Sequence, residues 1–98
     1  MTGSGKKKPR VIRRKMVVQN EVGLHARPAK NLVKEFNKYA SDVFIEKDGY
    51  RINAKSIIGV LTLAAVKGTM LTVIAEGVDA KEAIEAAERL FADGFGED

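Results

Sequence analysis

Pro28 stands at the head of an apolar stripe in which Ala29, Leu32, Val33 and Phe36 recur at i, i+3, i+4 and i+7, the spacing of one helical face. Proline lacks a backbone N–H and its ring clashes with the preceding turn, so a helix tolerates it only in the first turn. The two features together predict a helix over residues 26–39, beginning at Ala26 with His25 as its N-cap. The flanking segments have a different period. Residues 14–18 within "VIRRKMVVQN" suit a first strand. Val43 and Ile45 share a strand face, Asp48-Gly49 is a hairpin signal, and Tyr50 to Asn53 return. "SIIGVLTLAAVKG" reads as a short apolar helix capped by Ser56, with Gly68 near its end, and "MLTVIAEG" as a strand. "DAKEAIEAAERLFAD" reads as a final helix capped by Asp79, with Ala83, Ile84, Ala87 and Leu90 along one face. The order β-α-β-β-α-β-α predicts an α+β fold, a mostly antiparallel sheet with helices over one face.

A chain of 98 residues holds one domain with a modest core, so a deep enclosed active site is not expected. The absence of cysteine excludes disulfides and thiolate metal sites. No apolar stretch approaches the ~20 residues needed to span a bilayer, and the basic N-terminus lacks the apolar segment of a secretory signal. A cytoplasmic protein without membrane insertion is therefore expected. The net charge of +4 is unevenly spread. Residues 1–15 hold seven of the 17 basic groups and no acidic one, which leaves ten basic and 13 acidic groups in the rest, a net of −3. This predicts a flexible basic extension over residues 1–13 and a folded, mildly acidic domain over 14–98. A solubilising tail is the plainest role for the extension, and contact with an acidic surface such as nucleic acid is the alternative. No aromatic residue is interleaved with its charges, so base stacking has little to work with and nucleic acid is not an expected partner.

His25 is the only histidine. A lone histidine at a helix start is ordinarily a plain polar residue. A metal would need further ligands, and none accompanies it in a recognisable set, so neither a metal nor a cofactor is expected. No nucleophile-elbow sequence supports a hydrolase. The neighbours point to another chemistry. The first N–H groups of a helix lack internal partners and lie at the positive end of its dipole, which binds anions. Here they belong to Ala26 and Arg27, and the Arg27 guanidinium can fork onto phosphate oxygens. An imidazole placed there has a ring nitrogen whose electron pair could attack phosphorus. Spacing alone leaves the plain polar residue open as the alternative.

The run "GLHARPA", with "KSIIGVLTL" and "AEGVDAKEA", closely resembles the HPr family, the histidine-containing phosphocarriers of the bacterial phosphoenolpyruvate-dependent phosphotransferase system. The resemblance covers about residues 14 to 92. It implies an open-faced β-sandwich, a four-stranded antiparallel sheet covered on one face by three helices. It implies that enzyme I, charged by phosphoenolpyruvate, phosphorylates Nδ1 of His25, and that the group passes to a histidine of an enzyme IIA. Arg27 matches the family's phosphate-positioning arginine. Such a protein is a carrier with no turnover of its own, and a monomer is expected, since it must offer one face to successive partners.

Ser56 matches the serine of the family's K-S-I-x-G motif, which an ATP-dependent kinase/phosphorylase modifies in Gram-positive and some other bacteria. The resemblance implies that its phosphoform weakens enzyme I docking and binds a regulatory protein. Ile57, Ile58 and Leu61 follow it, and an exposed apolar patch there would dock partners. Many relatives carry methionines at these positions, where this chain has branched aliphatics. Lys30 and Lys34 are expected on the exposed side of the first helix, able to attract acidic partners or simply to be solvated. The basic leader departs from the family pattern. Some paralogues serve nitrogen-related or regulatory relays, and one regulatory branch replaces the active histidine, which this chain retains.

Overall fold

The computed structural model describes residues 10–97. Its elements run β1 (Arg10–Val17), α1 (Ala26–Phe36), β2 (Asp42–Lys47), β3 (Tyr50–Asn53), α2 (Ile57–Thr62), β4 (Met70–Gly77) and α3 (Ala80–Ala92), followed by a 3-10 turn over Gly94–Gly96. The four strands form one antiparallel sheet in the order β1-β4-β2-β3. The three helices cover one face, so the open-faced sandwich is the observed architecture. Alternation divides each strand between the two faces. Val43, Ile45, Leu71, Val73 and Ala75 are buried toward the helices, where Leu32 and Phe36 of α1, Val60 of α2 and Ile84 and Phe91 of α3 meet them.

The other face has no covering layer and screens itself with charge. Ile74 points to this face, opposite Arg13 and Phe44, yet is fully buried. Around it Glu46 takes Arg13 at 3.2 Å and Arg51 at 3.0 Å, while the Arg51 guanidinium lies 5.0 Å from the Phe44 ring centroid. The β2–β3 hairpin closes at Asp48-Gly49, both at positive φ (51° and 82°), the backbone of a two-residue turn that matches strand twist.

Strand β1 begins at Arg10, four residues before the expected start, so residues 10–13 belong to the sheet and not to a flexible extension. The extension over residues 1–9 lies outside the described residues. The cause is the alternation of Ile12, Arg14 and Met16, which sets two apolar side chains against Ala75 and Leu71 of the core face. The intervening arginines and lysine can be accommodated because β1 is an edge strand, where charge also discourages pairing with other chains.

Helix α1 stops at Phe36 rather than Tyr39, closed by the Asn37 side chain, which donates to the Val33 carbonyl at 2.9 Å. Helix α2 ends at Thr62, well short of Gly68. Ala64 turns left-handed (φ 49°), and Lys47 donates to the Leu63 carbonyl at 2.9 Å, so a cation from β2 satisfies the helix end. Gly68 instead donates to the Val18 carbonyl at 2.8 Å and pins the following loop to the end of β1.

Asp79 occupies the N-cap position of α3 without capping it through its side chain. Its carboxylate accepts from the Ser41 hydroxyl (2.5 Å), the Ser41 amide (2.8 Å) and the Ala40 amide (2.9 Å), clamping the turn after α1 to the start of α3. The Ser41 hydroxyl bond foremost, then the Ala40 amide, holds the Asp79 carboxyl below its ordinary value. A carboxyl whose folded-state value is depressed stabilises the fold above the ordinary carboxylate range and loses that contribution as pH falls through it. Asp79→Asn is therefore expected to cost about 1–2 kcal/mol at neutral pH, a figure reduced for solvent screening. The gap from the parent should close as pH falls toward 3. Urea unfolding of both proteins between pH 7 and pH 3 measures it, and a gap unchanged with pH would show that the charge is not involved.

Candidate functional site

His25 is set by its backbone. Leu24 is buried and donates to the Ala65 carbonyl at 2.8 Å, tying the approach to α1 onto the segment after α2. Gly23 precedes it at φ +74°, and a Cβ there would stand 2.4 Å from the Ala65 carbonyl oxygen, so only glycine allows this approach. Asn20 bonds the Gly23 carbonyl at 2.9 Å through its side chain and closes the turn. The extended backbone of His25 (φ −105°, ψ −159°) then turns into the helix, whose first bond runs from Ala29 N–H to the His25 carbonyl at 2.9 Å.

His25 is exposed and its side chain caps nothing. The amides of Ala26 and Arg27 donate to no backbone group among the described residues, and Pro28 has no N–H to offer. The imidazole thus stands beside two unclaimed donors at a helix start, and Pro28, fully buried, anchors that end in the core. Such an arrangement is open to solvent and suited to an anion, with an imidazole able to act as a nucleophile at its edge.

Arg27 is exposed and reaches the Glu97 carboxylate, 3.6 Å away. That distance is an ion pair and too long for a hydrogen bond. Glu97 Oε2 is buried and has no hydrogen-bond partner among the described residues. It is brought there by the C-terminal turn, where Phe95 is fully buried at φ 60° and stacks edge-on against Phe91. Asn31 of α1 donates to the Phe95 carbonyl at 2.9 Å and fixes the turn on the helix. Glu97 was not among the expected site residues. Its signal was the large apolar Phe95 between two glycines beyond the last helix, a residue with no reason to be there unless it packs.

Ser56 caps α2 as expected, its Oγ accepting from the Gly59 amide at 3.2 Å. Ile57, Ile58 and Leu61 are all exposed, Ile58 at 72%, while Val60 supplies the helix's core contact, so the apolar patch exists. Lys30 and Lys34 are exposed on α1. Val22 and Val66, exposed at 60% and 65%, flank Gly23 and were not anticipated. Next to them Lys67 pairs with Glu21 and, chiefly through that hydrogen bond, lowers its carboxyl below the ordinary value. Among the described residues no cluster of histidine and acidic groups could hold a metal ion, and no helix is long and apolar enough to cross a membrane.

The family model described as the phosphorylation site of the HPr component of the phosphotransferase system matches residues 12–93. The chain belongs to the HPr family. It is 49% identical over 75 residues to the HPr-like protein Crh of Bacillus subtilis, a match covering 76% of this chain and 88% of that protein. It is 39% identical over 88 residues to the phosphocarrier protein HPr of Xylella fastidiosa strain 9a5c, covering 90% and 99% of the two chains. Among solved structures, HPr-C-His from Thermoanaerobacter tengcongensis superposes with a TM-score of 0.85 at 39% identity, covering 89% of this chain and 98% of that one. An HPr dimer from the same organism superposes at 0.71 with 42% identity, covering 82% and 92%. Membership in the HPr family supports a phosphocarrier role in the phosphotransferase system, that of a carrier rather than an independent catalyst.

Proposed function

We propose that His25 accepts a phosphoryl group from phospho-enzyme I and yields it to an enzyme IIA. The observation that carries this is an exposed His25 at the start of α1, followed by the unclaimed amides of Ala26 and Arg27 and by an exposed Arg27 side chain. The Nδ1 electron pair attacks phosphorus in line while the donor's bond to phosphorus breaks, and the reverse geometry serves the acceptor. Such transfer depends on positioning and charge stabilisation more than on covalent chemistry by the protein. The amides and Arg27 stabilise the phosphoryl oxygens, and an open site lets both partners reach the same atom. Ile57, Ile58 and Leu61, with Lys30 and Lys34, form the docking surface in this reading, and the carrier works as a cytoplasmic monomer. The test is intact mass after incubation with enzyme I and phosphoenolpyruvate. One acid-labile phosphate is expected. No gain with an active enzyme I from the same organism would sink the proposal.

Glu97 competes with the incoming phosphate for Arg27. Glu97→Gln removes the charge that holds the guanidinium and is expected to shift the phosphoryl equilibrium toward the carrier by up to about fivefold, the worth of an exposed ion pair. Titration against phospho-enzyme I measures the shift, and an unchanged or lower equilibrium would show that Arg27 does not engage the phosphate.

A regulatory role built on Ser56 is a second reading, favoured by the similarity to Crh and by the half-exposed cap hydroxyl. An ATP-dependent kinase/phosphorylase would add about two negative charges there, at a helix start where they need not melt the helix. The phosphoform would repel enzyme I and bind a regulatory protein. Binding of that phosphoform by a regulator, unaffected by His25→Ala, would establish this second role.

A further inference from the structure

Two buried side-chain polar atoms have no hydrogen-bond partner among the described residues, Asn20 Oδ1 and Glu97 Oε2. Both residues line one pocket of about 240 Å³. It lies between the segment leading to Gly23 and the end of α3, where Glu21, Ala92, Asp93 and Gly94 form most of the remaining wall. Asn20 is 5% exposed. Its Nδ2 is spent on the Gly23 carbonyl at 2.9 Å, and its Cβ packs against Gly94, where an added Cβ would meet it at 3.4 Å. These contacts hold the amide in place and leave Oδ1 without a donor. Glu97 Oε2 has only Arg27, at 3.6 Å, an attraction of charges too long to satisfy a lone pair. A buried acceptor left unpaired costs free energy, and two on one pocket point to a donor supplied from outside.

The surroundings set the sign of that donor. Glu21, Asp93 and Glu97 bring carboxylates to the pocket, and no lysine or arginine lines it. Lys67 offsets Glu21 and Arg27 offsets Glu97 from outside, whereas Asp93 has no ion-pair partner among the described residues. Ala92 and Asp93 also close α3, so the negative end of its dipole lies beside the same space.

Size and geometry narrow the class further. A divalent ion takes six or more oxygens at short range, and no group of three acidic residues among those described could hold one. A quaternary ammonium is recognised by aromatic faces, and none lines this pocket. The volume is below the roughly 300–1,000 Å³ of pockets for drug-sized ligands, so the group is small. A primary ammonium meets each condition, as a compact charge whose three donors reach separate acceptors.

We propose that this pocket binds a primary ammonium group, which donates to Asn20 Oδ1 and Glu97 Oε2 while Asp93 supplies unneutralised negative charge. The Glu97 side chain, 20% exposed at the end of the described residues, is the part that turns to admit the group. The site stands apart from the relay proposed above, because none of its groups is the phosphoryl acceptor.

Amide NMR of the full chain under titration with methylammonium chloride tests the site, with sodium chloride and tetramethylammonium chloride at equal ionic strength as controls. The Asn20 side-chain amide and the Gly94 and Glu97 backbone amides are expected to shift and saturate with methylammonium alone. Glu97→Gln and Asp93→Asn should each weaken binding about threefold, the worth of an exposed charge contact, and the double variant about tenfold. Asn20→Leu should weaken it as well. That change also removes the bond to Gly23, so a thermal melt accompanies it, and the acidic variants decide the matter if it does not fold. Nα-acetyllysine amide separates the sources of the group. Binding at least as tight as that of methylammonium assigns the pocket to a lysine side chain, and weaker binding assigns it to a small free amine. Equal shifts from tetramethylammonium would mean charge screening only, and the absence of a saturable shift would leave the two acceptors to ordered water. Either result overturns the proposal, as would unchanged affinity in the double variant.

Discussion

His25→Ala is expected to abolish acceptance of the phosphoryl group while leaving the fold intact. The two halves of that result have separate causes. The chain has no other histidine, so no second imidazole can substitute at this helix start. The amides of Ala26 and Arg27 and the Arg27 guanidinium remain in the variant, but they bind charge without supplying an electron pair to phosphorus. Stability is spared because the side chain is exposed and makes no capping hydrogen bond, which places the change among surface substitutions worth about ±0.5 kcal/mol or less. Intact mass and a thermal melt on the same sample separate the two. An acid-labile phosphate on the folded variant would move the acceptor to another residue, and a melt lowered by many degrees would mean that His25 holds structure after all.

Gly23→Ala is expected to give the largest loss of stability among single changes near the site. Two costs add. The position sits at φ +74°, where an L residue is strained by roughly 1–2 kcal/mol. The new methyl would also lie 2.4 Å from the Ala65 carbonyl oxygen and 2.9 Å from the Val66 Cα. Those are backbone atoms of a segment tied to Leu24 and Val18 by bonds of 2.8 Å, so they cannot yield as a flexible side chain would. The sum is about 3 kcal/mol or more, a fall of roughly 12–24 °C in melting temperature for a domain of this size. Gly49→Ala is the control, since it has a similar φ of +82° with nothing within 4 Å, and should show the strain cost alone. Two equal losses would mean that the Ala65 contact is not rigid. Phosphoryl acceptance should also slow in the fraction of Gly23→Ala that folds, because the displaced turn carries His25 with it.

The parts of this protein that were legible in advance have their causes close by in the chain. Pro28 and the stripe behind it set the start of α1 at Ala26, and the histidine before it becomes the N-cap by position alone. Asp48-Gly49 sets the hairpin through its own dihedrals. Ser56 caps α2 with a bond to an amide three residues on. Steric limits, caps and turns act over a few residues and need no knowledge of the rest of the fold. The chemistry proposed for His25 rests on equally local features, since the amides and the guanidinium it would use belong to the next two residues.

Where the expectations failed, the deciding partner was far away. Arg10 to Arg13 looked like part of a polar leader because their pairing partners, Ile74 to Gly77, lie more than sixty residues on. Helix α2 stops early where Ala64 turns left-handed and Lys47 of β2 takes the carbonyl of the C-cap residue Leu63. Asp79, a plausible cap by spacing, bonds Ser41 and Ala40 instead, and Glu97 reaches Arg27 only because Phe95 buries itself against α3. Sequence by itself determined where each helix could start, how the polypeptide alternates between helix and strand, and which residue is the candidate nucleophile. Tertiary structure alone decided where the elements end, which charges pair and what faces the histidine. Those outcomes depend on hydrogen-bond partners and buried surface supplied by distant residues, which no local spacing encodes.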